Sequence, residues 1–178
     1  MRERRRKTER GRRKALFQGT AGMLLWAGAL CLLLRAALLP ACAEKAAALT
    51  FPLDTAAWRV SDPYGWRTDP FDGKTRFHEG VDLACAEGTP VLAAMDGVAA
   101  SSRRSASYGN CLRVRHADGK ETLYAHLQYL YVRAGEVIEA GQVIGTAGQT
   151  GRATGPHLHF ELWERGERCD PGAALGLS

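Results

Sequence analysis

Residues 155–162 read Gly-Pro-His-Leu-His-Phe-Glu-Leu, and this alternating stretch decides the fold of the chain. Successive side chains of a β-strand point to opposite faces, so His157 and His159 are expected on the same face. The other face then carries the apolar side chains that a core would bury, Leu158, Phe160 and Leu162. Two imidazoles about 6–7 Å apart on a stiff strand suit one metal ligand and one acid–base group. The alternative is a pair of surface histidines on a half-exposed strand.

Short runs typical of β-strands, punctuated by glycine, continue through most of the chain. They cover residues 80–84, 90–94, 97–102, 110–116, 121–126, 137–138, 142–146 and 157–164. Asp118-Gly119 between two of these runs predicts a hairpin. Residues 61–73 are rich in turn formers and predict a long structured loop, while residues 127–130 allow one helical turn at most. The pattern predicts an all-β fold of antiparallel sheets, as a sandwich or partly open barrel with long loops around a groove.

The basic charge of the chain is confined to its first residues. The 178 residues carry a net charge of +5, and residues 1–14, with nine Lys/Arg and two Glu, contribute +7 of it. The remaining 164 residues therefore carry −2 together. A basic arm followed by a slightly acidic domain offers no footprint for nucleic acid.

Residues 15–34 form an uncharged apolar run of twenty residues, directly after the basic arm. As a helix this run would be about 30 Å long, which matches the hydrocarbon core of a bilayer. We therefore expect a transmembrane signal anchor over residues 15–39, with residues 1–14 cytoplasmic and the following chain extracytoplasmic. A buried core helix is the alternative, but a helix that is apolar all round does not suit so small a protein.

Whether the anchor is kept is left open by the residues that follow it. Ala41-Cys42-Ala43 resembles a signal-peptide cleavage site, and cleavage there would release a secreted protein beginning at Glu44. Residues 39–42 also faintly resemble a lipoprotein box. The apolar run is longer than a usual signal peptide and Arg35 separates it from the site, which favours a retained, single-pass anchor in the cytoplasmic membrane. A linker over residues 40–50, a folded domain over 51–172 and a tail over 173–178 complete the organisation.

The cysteines do not define a framework. Cys31 falls in the apolar run, and four others follow it, Cys42, Cys85, Cys111 and Cys169. An extracytoplasmic compartment permits disulfides, but the spacing does not assign a pairing. Since no C-x-x-C occurs, a cysteine zinc cluster is disfavoured.

Two further stretches carry residue types that bind metals or move protons. His78-Glu-Gly-Val-Asp82 resembles the helical H-E-x-x-H zinc motif, but Gly80 and Val81 disfavour a helix. On a strand, His78 and Asp82 would share a face and could converge on one ion, with Glu79 pointing away. His126 ends the alternating run 122–126. Taken singly, each of these sites is more typical of an ordinary structural or surface position.

Taken together and in this order, the three sites resemble the LytM/lysostaphin-type zinc endopeptidases. The resemblance covers residues 51–171 and includes four more short motifs, Tyr-Gly-Trp-Arg at 64–67, Gly-Thr-Pro-Val at 88–91, Tyr-Gly-Asn at 108–110 and Asp-Pro at 170–171. Of the five histidines, only His116 lies outside the shared motifs.

The resemblance implies a role for each matched residue. It makes His78, Asp82 and His159 the ligands of one zinc ion per chain, with a water in the fourth position. It makes His157 the expected general base and His126 the stabiliser of the oxyanion, two roles that can be shared. Weaker candidates for lining the substrate groove are Tyr64, Asn110 and Tyr124.

The function implied by the resemblance is hydrolysis of peptide bonds in peptidoglycan stems or cross-bridges, at the outer face of the cytoplasmic membrane. The expected partners are the peptidoglycan peptide and, through the N-terminal helix, the membrane; no protein partner is indicated. Some relatives are non-catalytic scaffolds, including membrane-anchored proteins of sporulation channels. An intact set of site residues favours the enzyme over the scaffold, but intact ligands are compatible with both.

Overall fold

Residues 49–177 are described by the computed structural model, and they form twelve strands and one short helix. The strands are β1 Arg59–Asp62, β2 Gly65–Thr68, β3 Thr75–His78, β4 Val81–Ala84, β5 Pro90–Leu92, β6 Gly97–Ser105, β7 Gly109–Arg115, β8 Lys120–Leu130, β9 Val137–Ile138, β10 Val143–Ala147, β11 His157–Glu164 and β12 Glu167–Cys169. Helix α1, Pro171–Ala174, begins at Asp170, whose carboxylate accepts hydrogen bonds from the first backbone N–H groups.

The predicted basic arm and membrane anchor, residues 1–39, lie outside the described residues, as does most of the predicted linker. Between residues 49 and 177, no helix has both the length and the apolar character needed to cross a bilayer.

Ten strands form one antiparallel sheet, and the other two form a separate hairpin. The main path of the sheet runs β1-β4-β11-β8-β7-β6-β9; in addition β12 pairs with β11, and β10 pairs with both β8 and β5. Strands β2 and β3 pair with each other. The prediction of an all-β, antiparallel fold is confirmed, whereas the branching of the large sheet was not predicted.

Strand β8 is the branch point of the sheet. Its first half pairs with β11, where Ala125 lies opposite His159, and its second half pairs with β10, where Leu127 lies opposite Ala147. Residues 127–130, for which the sequence allowed one helical turn at most, form none, because the hydrogen bonds from β10 keep this segment extended. His126 lies between the halves with a φ of 60°, and its backbone N–H donates to the Tyr108 carbonyl at 2.8 Å. A positive φ is costly for a residue with a Cβ, so the surrounding ladders must hold it.

Strand β11 has the predicted bounds and lies between β4 and β8. Leu158 and Phe160 are fully buried in the main hydrophobic core, as expected from the alternation. On the opposite face His159 and Glu161 are buried as well. The half-exposed strand that was the alternative for this stretch is therefore excluded.

Candidate active site

His78 and Asp82 converge, although they do so from two strands. His78 ends β3 and Asp82 lies in β4, so the two residues do not share the one strand that the argument for a common face assumed. The break falls at Gly80, where the chain passes so close to β11 that a Cβ would lie 2.5 Å from the Phe160 carbonyl oxygen. His78 Nε2 nevertheless lies 3.2 Å from Asp82 Oδ1.

His159 completes the cluster from the neighbouring strand. It lies directly opposite Asp82 in the β4–β11 register, and its Nδ1 is 2.7 Å from Asp82 Oδ1 and 3.1 Å from His78 Nε2. A tetrahedral zinc ion with bonds of about 2.0–2.2 Å needs ligand atoms roughly 3.3 Å apart. The three predicted ligands thus form a group with the donor types and spacing of a metal site.

The ring protons of the two histidines are directed away from this group. His78 Nδ1 lies 2.8 Å from the Pro63 carbonyl oxygen, and His159 Nε2 lies 3.2 Å from Glu161 Oε1. Both oxygens only accept hydrogen bonds, so these nitrogens carry the protons. The lone pairs of His78 Nε2 and His159 Nδ1 are left facing each other and the Asp82 carboxylate. Such an arrangement is stable only with a proton or a cation among the three atoms, so the residues fit a metal ion.

The electrostatics of the cluster favour a bound cation. Burial alone would raise the pKa of Asp82, but its hydrogen bonds to His159 and His78 hold that pKa well below its usual range. Burial would lower the pKa of His159, yet the carboxylates of Asp82 and Glu161 raise it to about 9. Asp82 is therefore negative at neutral pH, and a positive charge is stabilised beside it.

His126 and His157 border the cluster on its open side. Their ring centroids are 4.7 Å apart, and His157 Nε2 lies 3.8 Å from Asp82 Oδ2. His126 Nδ1 donates to the Thr150 carbonyl at 2.8 Å, and His157 Nδ1 donates to the Gly155 carbonyl at 2.7 Å. Each neutral ring therefore keeps a lone pair on Nε2. Burial, reinforced by the nearby His157, lowers the pKa of His126 to about 4, so this ring is neutral at physiological pH.

All five predicted histidine and aspartate residues line one cleft of about 440 Å³. Of the three weaker candidates for its lining, Tyr124 is wrong: it is fully buried in the core, and its hydroxyl accepts the Ala94 N–H at 2.7 Å. Asn110 is turned to the backbone, where its amide donates to the Gln128 carbonyl. The Tyr64 hydroxyl donates to the Arg168 carbonyl. Neither of these two side chains is among those that line the cleft.

Sequence reasoning missed several residues at the cleft. Glu161 follows His159 by two positions, so strand alternation already placed it on the face of the histidines. Tyr108 reaches the site from the β6–β7 turn, and its hydroxyl donates to Glu161 at 2.6 Å. Arg152 forms a bidentate ion pair with buried Asp69, at 2.7 and 3.0 Å. No local sequence pattern predicts the Tyr108–Glu161 and Arg152–Asp69 contacts, because the partners are far apart in sequence.

The fifth histidine and the three cysteines that the structure describes do not line the cleft. His116 is buried in the β7–β8 hairpin, between the Asp96 carbonyl and the Thr122 hydroxyl. Cys85, Cys111 and Cys169 are free thiols in the part of the chain that the structure describes. Cys42 lies outside that part, so its pairing is not tested.

The fold and the cluster are those of a metallopeptidase family. Residues 76–171 match the family model described as peptidase family M23, which is more than half of the chain. The chain therefore belongs to peptidase family M23.

Two curated relatives match about two thirds of the chain or more. The chain is 47% identical over 113 residues to the DD-carboxypeptidase/endopeptidase Mpg of Neisseria meningitidis, a match covering 64% of this chain and 26% of that protein. It is 42% identical over 130 residues to the peptidoglycan DD-endopeptidase ShyC of Vibrio cholerae, covering 72% of this chain and 30% of that protein. The match thus spans less than a third of the length of each relative.

Solved structures resemble the described fold. A zinc-containing peptidase from Vibrio cholerae superimposes with a TM-score of 0.65 at 35% identity, over 72% of this chain and 39% of that one. The catalytic domain of lysostaphin from Staphylococcus simulans superimposes with a TM-score of 0.61 at 32% identity, over 67% of this chain and 92% of that one. The resemblance to lysostaphin-type peptidases drawn from the sequence is confirmed.

Proposed function

We propose that this protein is a zinc-dependent endopeptidase that hydrolyses peptide bonds in peptidoglycan. The observation that carries the proposal is the convergence of three ligand atoms, within 3.2 Å of one another, beside two imidazoles that each keep a lone pair on Nε2. A cluster of ligands alone would serve a structural metal. A hydrolase also needs groups that can accept a proton beside the metal, and the Nε2 lone pairs of His126 and His157 can do so.

His78, Asp82 and His159 would hold the metal. Two imidazole nitrogens and one carboxylate oxygen form a typical ligand set of catalytic zinc, and one of the solved relatives is named as zinc-containing. A bound zinc ion would polarise the scissile carbonyl and make water a good nucleophile near neutral pH.

His157 is assigned as the general base. Its Nε2 lone pair is directed into the cleft by the Nδ1–H bond to the Gly155 carbonyl, so it can take up the proton of the attacking water. The protonated ring can then return that proton to the leaving amine. The Gly155 carbonyl keeps the ring in the same orientation in both states.

His126 is assigned to the oxyanion, with a condition that the structure adds. A neutral His126 whose proton is on Nδ1 accepts hydrogen bonds at Nε2 and cannot donate one there. It can stabilise an oxyanion only when Nε2 is protonated as well. Burial is the main cause of the low pKa of His126, because it disfavours the charged ring. A negative charge that forms in the cleft would stabilise the charged ring and so favour protonation of Nε2.

The proposed substrate follows from the relatives. One curated relative is named a peptidoglycan DD-endopeptidase and the other a DD-carboxypeptidase/endopeptidase, which favours a bond between two D-configured residues in a peptidoglycan cross-link. We propose that the apolar run 15–34 anchors the domain at the outer face of the cytoplasmic membrane. The cationic flank at residues 1–14 supports this orientation.

The proposal is tested with the full 178-residue chain, purified in detergent and loaded with zinc. The chain is incubated with isolated peptidoglycan of directly cross-linked and glycine-bridged types, and mass spectrometry identifies the new amino termini. We expect cross-linked dimers to be converted to monomers by the wild type and not by His157→Ala. Zinc bound at one ion per chain with every wall type left intact would overturn the enzyme and support the scaffold.

A further inference from the structure

Glu161 is a fully buried carboxylate with four hydrogen-bond donors around it. Oε1 accepts from the Tyr108 hydroxyl at 2.6 Å and from His159 Nε2 at 3.2 Å. Oε2 accepts from the indole N–H of Trp163 at 2.8 Å and from Arg168 Nε at 3.3 Å. Each oxygen thus has two donors. Because every lone-pair direction is used, the carboxylate has little freedom to rotate.

These contacts keep Glu161 ionised inside the protein. The Trp163 indole and the Arg168 guanidinium can only donate, and the Tyr108 hydroxyl donates as well, so these partners favour the acceptor-only, ionised carboxylate. An uncompensated buried carboxylate would be strongly destabilising, so a charge at this position must have a specific purpose or a complete set of partners. Here the partners come from three parts of the chain, the β6–β7 turn, β11 itself and β12.

The bond to His159 has a direct consequence for the metal cluster. An ionised carboxylate only accepts, so it holds the ring proton of His159 on Nε2. Nδ1 is then the nitrogen with a free lone pair, and Nδ1 is the atom beside Asp82 and His78. A proton on Nδ1 of a neutral His159 would remove a ligand from the cluster.

Arg168 contacts Glu161 and also Glu79, the residue that follows His78. Its guanidinium stacks on the Trp163 ring at 4.0 Å and forms an ion pair with Glu79 at 2.7 Å. Glu79 directly follows the ligand His78, and Glu161 contacts the ligand His159. One arginine from β12 therefore connects the segments that carry two of the three ligands.

We propose that Glu161 is a positioning residue: fixed by Tyr108, Trp163 and Arg168, it sets the tautomer and orientation of His159 and thereby the metal affinity of the cluster. The inference rests on the metal site of the proposed function and not on the hydrolysis. Carboxylate partners of metal-bound histidines raise ligand basicity, and their loss typically reduces metal affinity about 10–100-fold.

The test measures zinc affinity of the full chain in detergent, by competition with a chelator and without substrate. Glu161→Gln keeps the size of the side chain and removes its charge, and Glu164→Gln is the matched control, since Glu164 ends the same strand with 48% of its side chain exposed. We expect Glu161→Gln to weaken zinc binding at least tenfold. The visible spectrum of the cobalt-loaded protein should also change, whereas Glu164→Gln should match the wild type in both measurements. A folded Glu161→Gln chain with wild-type zinc affinity and an unchanged cobalt spectrum would overturn the proposal.

A second measurement does not depend on the folding of any variant. In the zinc-loaded wild type, nitrogen NMR of the histidine rings should show His159 with a slowly exchanging proton on Nε2 and none on Nδ1. The opposite tautomer would overturn the proposal. Failure of the proposed enzyme would be seen separately, as a chain that binds zinc and leaves peptidoglycan intact.

Discussion

His159 and Asp82 lie opposite each other on adjacent antiparallel strands, with His159 Nδ1 2.7 Å from Asp82 Oδ1. His157 belongs to the same face of β11, yet its Nε2 remains 3.8 Å from the nearer oxygen of Asp82. A shift of two residues along one strand therefore separates the proposed ligand His159 from the proposed general base His157.

This difference predicts opposite phenotypes for two alanine variants. His159→Ala removes a ligand, so zinc binding should be lost together with activity. His157→Ala should retain one zinc per chain but lose roughly 10²–10⁴-fold in kcat, the usual contribution of a general base. Metal content measured by mass spectrometry and hydrolysis of purified cross-linked muropeptides separate the two cases. Substantial activity in either variant would contradict the assigned roles.

Zinc affinity should depend on pH through His159. Its pKa is raised to about 9, so near pH 7 the metal-free ring is protonated, and zinc must displace that proton from Nδ1. The apparent affinity should therefore rise about tenfold per pH unit up to pH 9 and level off above it. Calorimetry in buffers of different ionisation enthalpy should show about one proton released at pH 7. The absence of proton release would show that His159 is already neutral.

Arg152 is expected to support catalysis through the shape of the cleft. Its guanidinium holds buried Asp69 in a bidentate pair and stacks over the Phe71 ring at 4.2 Å, which joins two loops at the cleft. Arg152→Lys keeps the charge but loses the paired geometry. We expect kcat/KM to fall about tenfold with zinc affinity unchanged, and proteolysis of the loop at residues 69–74 to become faster. Arg104→Lys, at an exposed position of β6, is the matched control and should behave as the wild type.

Tyr124→Phe should affect stability and leave catalysis unchanged, because Tyr124 belongs to the core. Its hydroxyl accepts the Ala94 N–H at 2.7 Å and contacts Thr122 Oγ1 at 3.1 Å. Without the hydroxyl, a buried N–H has no partner, which costs about 1–3 kcal/mol of the free energy of unfolding. Tyr131→Phe, at a residue that is 58% exposed, should cost little. A change in kcat or KM for Tyr124→Phe would support the groove-lining role that the family resemblance had implied for this residue.

The sequence predicted the site through the resemblance of its three motifs to the LytM/lysostaphin-type endopeptidases, whereas local alternation predicted strand β11. The bounds of β11 and the division of its two faces follow directly from residues 157–164. His78 and Asp82 were expected to converge for an incorrect reason, since the break at Gly80 is set by the approach of another strand. Glu161 was missed because its role also depends on long-range contacts. Strand alternation places its side chain on the face of the histidines, but its contacts at the site depend on distant partners such as Tyr108, which is 53 residues away.

Gly80→Ala is expected to weaken zinc binding by displacing a ligand. An added Cβ would lie 2.5 Å from the Phe160 carbonyl oxygen and 2.8–2.9 Å from the ring of His159. The Phe160 carbonyl cannot move without disrupting β11, so either the chain beside His78 or the His159 ring must move. A displacement of this kind should lower zinc affinity by at least tenfold, since metal–ligand distances normally lie within about 0.2 Å of their ideal values.

Loss of stability alone must be separated from this effect, and Gly119→Ala provides the comparison. Gly119 has a φ of 81° in the β7–β8 hairpin with open space around its Cα, so alanine there is strained by about 1–2 kcal/mol without touching the site. Both variants should melt at lower temperature than the wild type when metal-free. Only Gly80→Ala should lose zinc affinity in chelator competition. Equal zinc affinities for the two variants would mean that β11 moves away from residue 80 without disturbing His159.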